Sequence, residues 1–293
     1  MHKLFKIIIL ITICSFNAQA QLNDLARIDY TFIPDTNSDV EFTRLRALFN
    51  YPIKLKKEGE FLLIGLDYSN IHLRFQNEDL PFDKEQLNDF QLLDLSIGYT
   101  KPLKNDWRLG IRIKPGFSTN LTANALSFED IVLSAAIVFI KERKLEEGKK
   151  ERLILGISYS GNGGYNFPLP FLSYYRKFHL KWSYNVGIPK TNLQYHISEK
   201  HRLKLYAELD GFTANLQHGV AVEGLPNAES INMSLIVGGF QYEYHFTKHL
   251  QFYARVTHIF SINNKLRDEN KDNIYTLDNE ALLYLRSGIR FKI

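Results

Sequence analysis

Apolar and polar residues alternate with a period of two through most of this chain, the mark of strands with one dry face and one wet face. Leu93, Leu95, Ile97 and Tyr99 alternate with Asp94, Ser96, Gly98 and Thr100. Trp107, Leu109, Ile111 and Ile113 alternate with Arg108, Gly110, Arg112 and Lys114. The scheme returns in Leu203, Leu205, Ala207 and Leu209 against Lys204, Tyr206, Glu208 and Asp210, and again in Phe240, Tyr242, Tyr244 and Phe246 against Gln241, Glu243 and His245. It is less clean where Val132, Ala136 and Val138 fall on the nominally polar face.

These runs predict about fourteen strands: 26–34, 41–56, 60–70, 90–100, 107–115, 129–141, 152–160, 170–177, 180–188, 192–198, 202–213, 231–246, 250–260 and 281–293. Pro168, Pro170 and Pro189 interrupt the 170–198 region, and merging segments there gives twelve. Most runs have the roughly 9–11 residues of a tilted membrane-spanning strand. The connections alternate in length. Lys57–Gly59, Lys101–Asp106, Lys177–His179, Ser198–His201 and Thr247–His249 are short. Ile71–Asp89, Pro115–Phe128, Gly161–Leu169, Phe212–Ser230 and Ser261–Glu280 are long. Only the highly charged Lys141–Glu151 is long on the short side. Such alternation predicts an all-β fold: a transmembrane, antiparallel, up-and-down β-barrel with turns toward the periplasm and loops outward.

The first twenty residues read differently. Lys3 and Lys6 precede an apolar run, Ile7–Ile13, too short to span a bilayer, and Ala18-Gln19-Ala20 fits a cleavage site. Residues 1–20 are therefore expected to be a signal peptide and 21–293 a single barrel domain. Cys14 is the only cysteine, and Ile13 before it argues against a lipoprotein signal. Cleavage thus removes disulfide, thiol and Cys-metal chemistry. About six residues separate Gln21 from the first strand, so no N-terminal plug is expected. Loss of Lys3 and Lys6 lowers the formal charge of +4 by two, and no basic tract points to nucleic acid. Mean hydropathy is −0.22, as expected when half of each strand is polar by design.

The last predicted strand carries Leu283, Leu285, Ile289, Phe291 and Ile293 on one face, and Tyr284, Arg286, Gly288, Arg290 and Lys292 on the other. A chain ending on an amphipathic strand resembles the C-terminal assembly signal of bacterial outer-membrane proteins, although Ile293 stands where that signal has an aromatic. Over its mature length the chain resembles the uncharacterised outer-membrane β-barrel families of Gram-negative bacteria. The resemblance implies an outer-membrane location, lipid as a partner, and recognition by the barrel-assembly machinery during biogenesis. It implies no chemistry.

Alternation alone does not say which face meets lipid, and a soluble β-sandwich shares the pattern. Aromatics beside the short turns (Tyr99, Trp107, Phe139, Phe246, Phe252) favour lipid outside, as an interfacial girdle does. The other face then lines the lumen, and its candidate lining residues are Arg44, Arg46, Asp67, Asp94, Arg108, Arg112, Asp130, Glu208, Glu243, Arg255, Arg286 and Arg290. Singly, each is best read as bracing neighbouring strands through an ion pair. For the whole barrel a water-filled passage for small polar solutes leads, because about fourteen strands enclose more than side chains readily fill. The alternatives are a closed, ion-paired barrel that binds a partner through its loops, and a lipid-modifying enzyme using Ser69 or Ser118 with His72 or His218. No Gly-x-Ser-x-Gly, His-Glu-x-x-His or Gly-x-x-x-x-Gly-Lys motif occurs. Ser160–Gly164 lacks the helix a phosphate cradle needs, and His245/His249 and His196/His201 flank turns. No catalytic residue, cofactor or metal is expected.

Overall fold

The computed structural model describes residues 24–36, 38–122, 125–145, 149–277 and 280–292. The signal-peptide segment and Ile293 lie outside them. Fifteen strands follow one another: β1 (Ala26–Ile33), β2 (Val40–Lys54), β3 (Phe61–Phe75), β4 (Asp89–Pro102), β5 (Trp107–Thr119), β6 (Ile131–Lys144), β7 (Lys150–Tyr159) and β8 (Leu169–Lys177). Then come β9 (Trp182–Ile188), β10 (Lys190–His196), β11 (His201–Val220), β12 (Ala228–His245), β13 (Leu250–Arg267), β14 (Asn273–Thr276) and β15 (Leu283–Phe291).

Each barrel strand pairs antiparallel with its sequence neighbours, and β15 closes the circle on β1 and β13. Closure leaves no edge to be satisfied in lipid. β14 pairs only with β13, in the loop before β15, so the wall has the fourteen strands the alternation predicts. The 170–198 region does not merge: β8, β9 and β10 are separate ladders. The connection expected to be long between β6 and β7 is shortened, because β6 runs to Lys144 and β7 begins at Lys150, with the Leu145 N–H donating to the Lys149 carbonyl. Both strands run on through charged residues, because a hairpin ladder outside lipid needs no apolar face.

The outward residues of the lower wall are exposed aliphatics and aromatics, among them Ile28, Phe49, Leu66, Ile113, Val186, Leu205 and Val256. An exposed apolar belt of this breadth on a monomer marks a lipid contact.

At the loop end the alternation changes phase. In β3, Ile64 and Leu66 point out, but Ile71, Leu73 and Phe75 point in and are buried. In β11, Leu203 and Leu205 point out, and Phe212, Ala214 and Leu216 point in. β12 runs the other way along the barrel and shows the same change: Ile231, Met233 and Leu235 point in, Phe240 out. The inward set joins Ile33, Phe42, Leu87, Phe90, Leu266 and Tyr284 in one buried apolar core. Segments expected to be loops at 71–75, 115–119, 212–220, 228–230 and 261–267 are therefore strand. They pack inward around a core above the lipid belt.

The neck around that core is narrower than the base. β11 leaves the wall at Gly211, whose φ of +132° and close approach to the Met233 carbonyl suit only glycine. Beyond the kink it meets β5 in parallel at Asn215 and Thr119. The Ser118 hydroxyl donates to the Thr213 carbonyl (2.5 Å) and the Asn120 N–H to that of Asn215 (3.2 Å). Nine strands (β1–β5, β11–β13 and β15) ring the neck, and β6–β10 bulge from the base as a side panel. Phe82 and Val222, bridged to each other, sit among the buried residues at the outer end of the core.

Leu73 is fully buried in this core. Leu73→Ala is expected to cost about 2–5 kcal/mol, the range for a buried leucine that leaves a cavity. Unfolding of the detergent-solubilised barrel, followed by its heat-dependent gel migration, measures this. Leu66→Ala on the lipid face is the control and should change stability little.

Candidate functional site: the barrel interior

Below the apolar neck the interior is ionic, and its charges come from the polar face of each strand. Arg46 of β2 grips Asp67 of β3 with two hydrogen bonds (2.8 and 2.6 Å). Lys114 of β5 bridges Asp67 (3.3 Å) and Asp94 of β4 (2.7 Å). Asn162, from the β7–β8 connection, donates to both oxygens of Asp94 and accepts from the Thr213 N–H, which ties that connection beneath the β5–β11 seam.

A second cluster lies across the interior. Asp210 of β11 accepts from Arg44 (3.2 and 2.9 Å), Arg286 (2.5 Å) and the Tyr284 hydroxyl (2.6 Å). Arg286 also donates to Thr31 (2.9 Å) and lies near Asp29 (3.6 Å), which pairs with Arg27 (2.9 Å). Glu208 holds Arg255 and Lys190, the latter at 2.6 Å. Toward the turn end, Glu243 collects Lys204 (2.6 Å), Arg290 (2.7 Å) and Arg202 (3.5 Å). Guanidinium planes stack on tyrosines: Arg290 on Tyr253 (4.5 Å), Arg255 on Tyr206 (4.8 Å) and Arg286 on Tyr284 (5.1 Å). Arginine suits such sites because its planar fork binds carboxylates in pairs while its face rests on an aromatic ring.

Eleven of the twelve residues read from the sequence as lumen-lining do face inward on the wall. Arg108 is held by the Gly59 carbonyl (2.7 Å) beside the β2–β3 turn. Arg112 faces inward between the outward Ile111 and Ile113, yet it is exposed to water. Among the described residues no carboxylate lies within ion-pair distance of it. Inward neighbours on β6 and β7, such as Ala136, Val138, Ile154 and Gly156, are only half-buried. The interior is therefore more accessible along the side panel than along the opposite wall, where Asp29, Thr31, Arg255 and Arg286 are buried.

Asp130 is the exception and is corrected. It lies not on a strand but in a 3-10 turn, Phe128–Asp130, before β6. Its carboxylate caps that turn through the Ser127 N–H (2.8 Å) and accepts from Asn215 (2.9 Å) and Gln217 (2.6 Å). It locks the loop to β11 instead of lining a lumen. The period-two reading was misled because the capping segment continues the phase of β6. Lys190 follows Pro189 and so reads as a turn residue in the sequence; Pro189 alone separates β9 from β10. Tyr206, Tyr253 and Tyr284 were passed over as part of the alternation, with no signal that they would carry arginines.

The candidate Ser–His pairings do not form. Ser69 points inward, and His72, three residues on along β3, lies on the outer face with Asp89 (3.0 Å). Ser118 belongs to the β5–β11 seam. His196 bonds Ser183 (2.9 Å), and His249 bonds the Lys292 carbonyl (3.0 Å). No group of three metal-ligating side chains occurs among the described residues.

A closed antiparallel wall, lipid-facing without and charged within, defines a membrane-spanning β-barrel. The chain belongs to a family described as a domain of unknown function (DUF6268), matched over residues 21–292. No curated protein matches it. Among solved structures it is similar to the NanC porin (10% identity, covering 92% of this chain and 100% of that one, TM-score 0.39). It is also similar to the KdgM porin (8%, 91% and 99%, TM-score 0.37) and to the Pseudomonas putida toluene transporter TodX (11%, 92% and 89%, TM-score 0.37). Likeness at that level bears on neither cargo nor mechanism.

Asp210 joins β11 to β2 and β15 across the interior. Asp210→Ala leaves Arg44 and Arg286 without it, at a cost of about 3–5 kcal/mol for stranding buried charge. Replacing Arg44 and Asp210 together by leucine should recover part of that loss in the same unfolding assay. Asp130 responds to pH. Burial alone would raise its pKa, but the hydrogen bonds from Ser127, Asn215, Thr119 and Gln217 outweigh this and hold it below the usual carboxylate range. Its stabilisation is therefore complete at neutral pH and falls away as pH drops below about 4 toward the folded value. The protection factors of the amides at 213–217, taken relative to intrinsic exchange at each pH, should fall on acidification, and Asp130→Asn should remove that dependence.

Proposed function

We propose that this protein is an outer-membrane channel with an indirect route: small anionic solutes enter a hydrated side compartment behind the panel β6–β10. The observation that carries this reading is Arg112, an inward-facing cation open to water and outside ion-pair distance of any carboxylate among the described residues, with Asp67 acting on it only from further off. In a bracing role it would be paired, as Arg46, Arg255 and Arg286 are. An unpaired cation inside a hydrated, low-dielectric wall concentrates anions and repels cations. The straight axial route is filled by the apolar neck.

The wall is thinnest above the β9–β10 hairpin, which turns back at Pro189 while β8 and β11 continue past it. Its last contacts are Ile188 with Leu172 on one side and Lys190 with Glu208 on the other. The β7–β8 connection covers this notch, with Gly164 packed against Gly211. The compartment thus opens toward the loop end beside the neck. The signal pattern of residues 1–20 and the sidedness of turns and loops support an outer-membrane location with the turn end in the periplasm. The β15 strand, closing on β1, supports handling by the barrel-assembly machinery.

Purified protein in planar bilayers should conduct, with a reversal potential in a salt gradient that favours anions. Arg112→Glu should move that potential toward cation preference without loss of the folded gel band. A well-folded but silent barrel would overturn the channel and leave the ion-paired, structural reading.

A further inference from the structure

The outer face of β12 and β13 changes character at a single bulge. Val237 pairs with Ile259 but Ile236 pairs with Ser261, so Phe260 is the extra residue and both Phe260 and Ser261 face outward. Below the bulge this face shows exposed Phe240, Val256 and Phe260. Above it stand Ser261, Asn263, Lys265 and Arg267, with Ser234 alongside on β12. The bulge therefore marks where the lipid belt ends.

The β7–β8 connection crosses at this height and encloses a groove of about 410 Å³. Phe167 and Ile236 give it an apolar side; Ser234, Ser261, Asn263 and Arg267 give it a polar one. Arg267 donates from Nε to Asn273 (3.1 Å). Among the described residues no carboxylate lies within ion-pair distance of it, whereas Arg44, Arg74 and Arg286 each have one. Burial lowers its pKa, with no nearby acid to offset the effect. A cation that remains half-buried and unpaired, at the level of lipid headgroups, is a site prepared for an anion that arrives with the lipid.

We propose that this groove holds the phosphate-bearing headgroup of an anionic membrane lipid. The phosphate sits on the Arg267 guanidinium, with hydroxyl and amide donors from Ser261 and Asn263. The acyl chains run down over Ile236, Phe240 and Phe260. Charge, height and the join between polar and apolar walls all fit a lipid, and none of them depends on whether the barrel conducts.

Native mass spectrometry of the full chain in detergent, titrated with phosphatidylglycerol, tests this. The protein should retain the lipid, and Arg267→Ala should weaken retention at least about tenfold, the equivalent of one charge-assisted hydrogen bond. Ser261→Trp, which fills the groove from lower on the same strand, should do the same and decides the matter if Arg267→Ala fails to fold. Diacylglycerol of the same chains should not be retained, and equimolar inorganic phosphate should not displace the lipid. Retention unchanged in both variants overturns the proposal. So does equal retention of diacylglycerol, which would reduce the groove to an apolar crevice. Displacement by free phosphate would make it a phosphate site instead.

Discussion

A strand in a lipid-embedded barrel must show hydrocarbon outward, whereas a strand standing in water must hide it. The long strands of this wall meet both demands in turn. Leu66 of β3 and Leu205 of β11 face out; Leu73 and Leu216, further along the same strands, face in. Because a strand's faces are fixed by its pleat, the reversal cannot be local. It happens at a shared level around the ring, so one half of the barrel receives a polar interior and the other an apolar one. The ionic clusters, the sealed neck and the height of the lipid belt all follow from that.

The polar half carries the heavier penalty, since charges leave water there. Residue choice meets it in two ways. Carboxylates are few and shared: Asp210 by Arg44 and Arg286, Glu243 by Lys204 and Arg290. Several cations rest on tyrosine faces that keep their ring planes inward. Pairs of this kind contribute modestly to net stability but strongly to geometry, because a shifted register would strand a buried charge. The β6–β10 side meets less of that demand because its inward residues are less deeply buried, and Arg112 stands there outside ion-pair distance of a carboxylate among the described residues.

Much of this was legible in the sequence. Strand number, the closing role of the last strand and eleven inward residues follow from period-two alternation, which the lipid belt enforces residue by residue. The neck was misread as loops because the alternation of Ile71, Leu73 and Phe75 runs out of phase with that of Ile64 and Leu66, and a change of phase looks like an ending. The signal was present: a strand that merely stops does not resume alternation on the other parity. The partners of each charge were not legible. Asp210 meets Arg44 across 166 residues, and only the curvature of the closed wall brings them together. Nor was the departure of β11, which depends on one glycine conformation at Gly211.

That departure makes β11 a member of two rings at once, and it divides the wall by mechanical consequence. The five strands β6–β10 hang between β5 and β11 like a panel between two posts, and the apolar core draws no buried member from them. Altered strand length, a longer hairpin tip or a drifting sequence in the panel leaves the neck's packing untouched. The same change in β3 or β12 would reach the core directly. The panel side of the wall can thus be reshaped while the rest of the barrel holds its form.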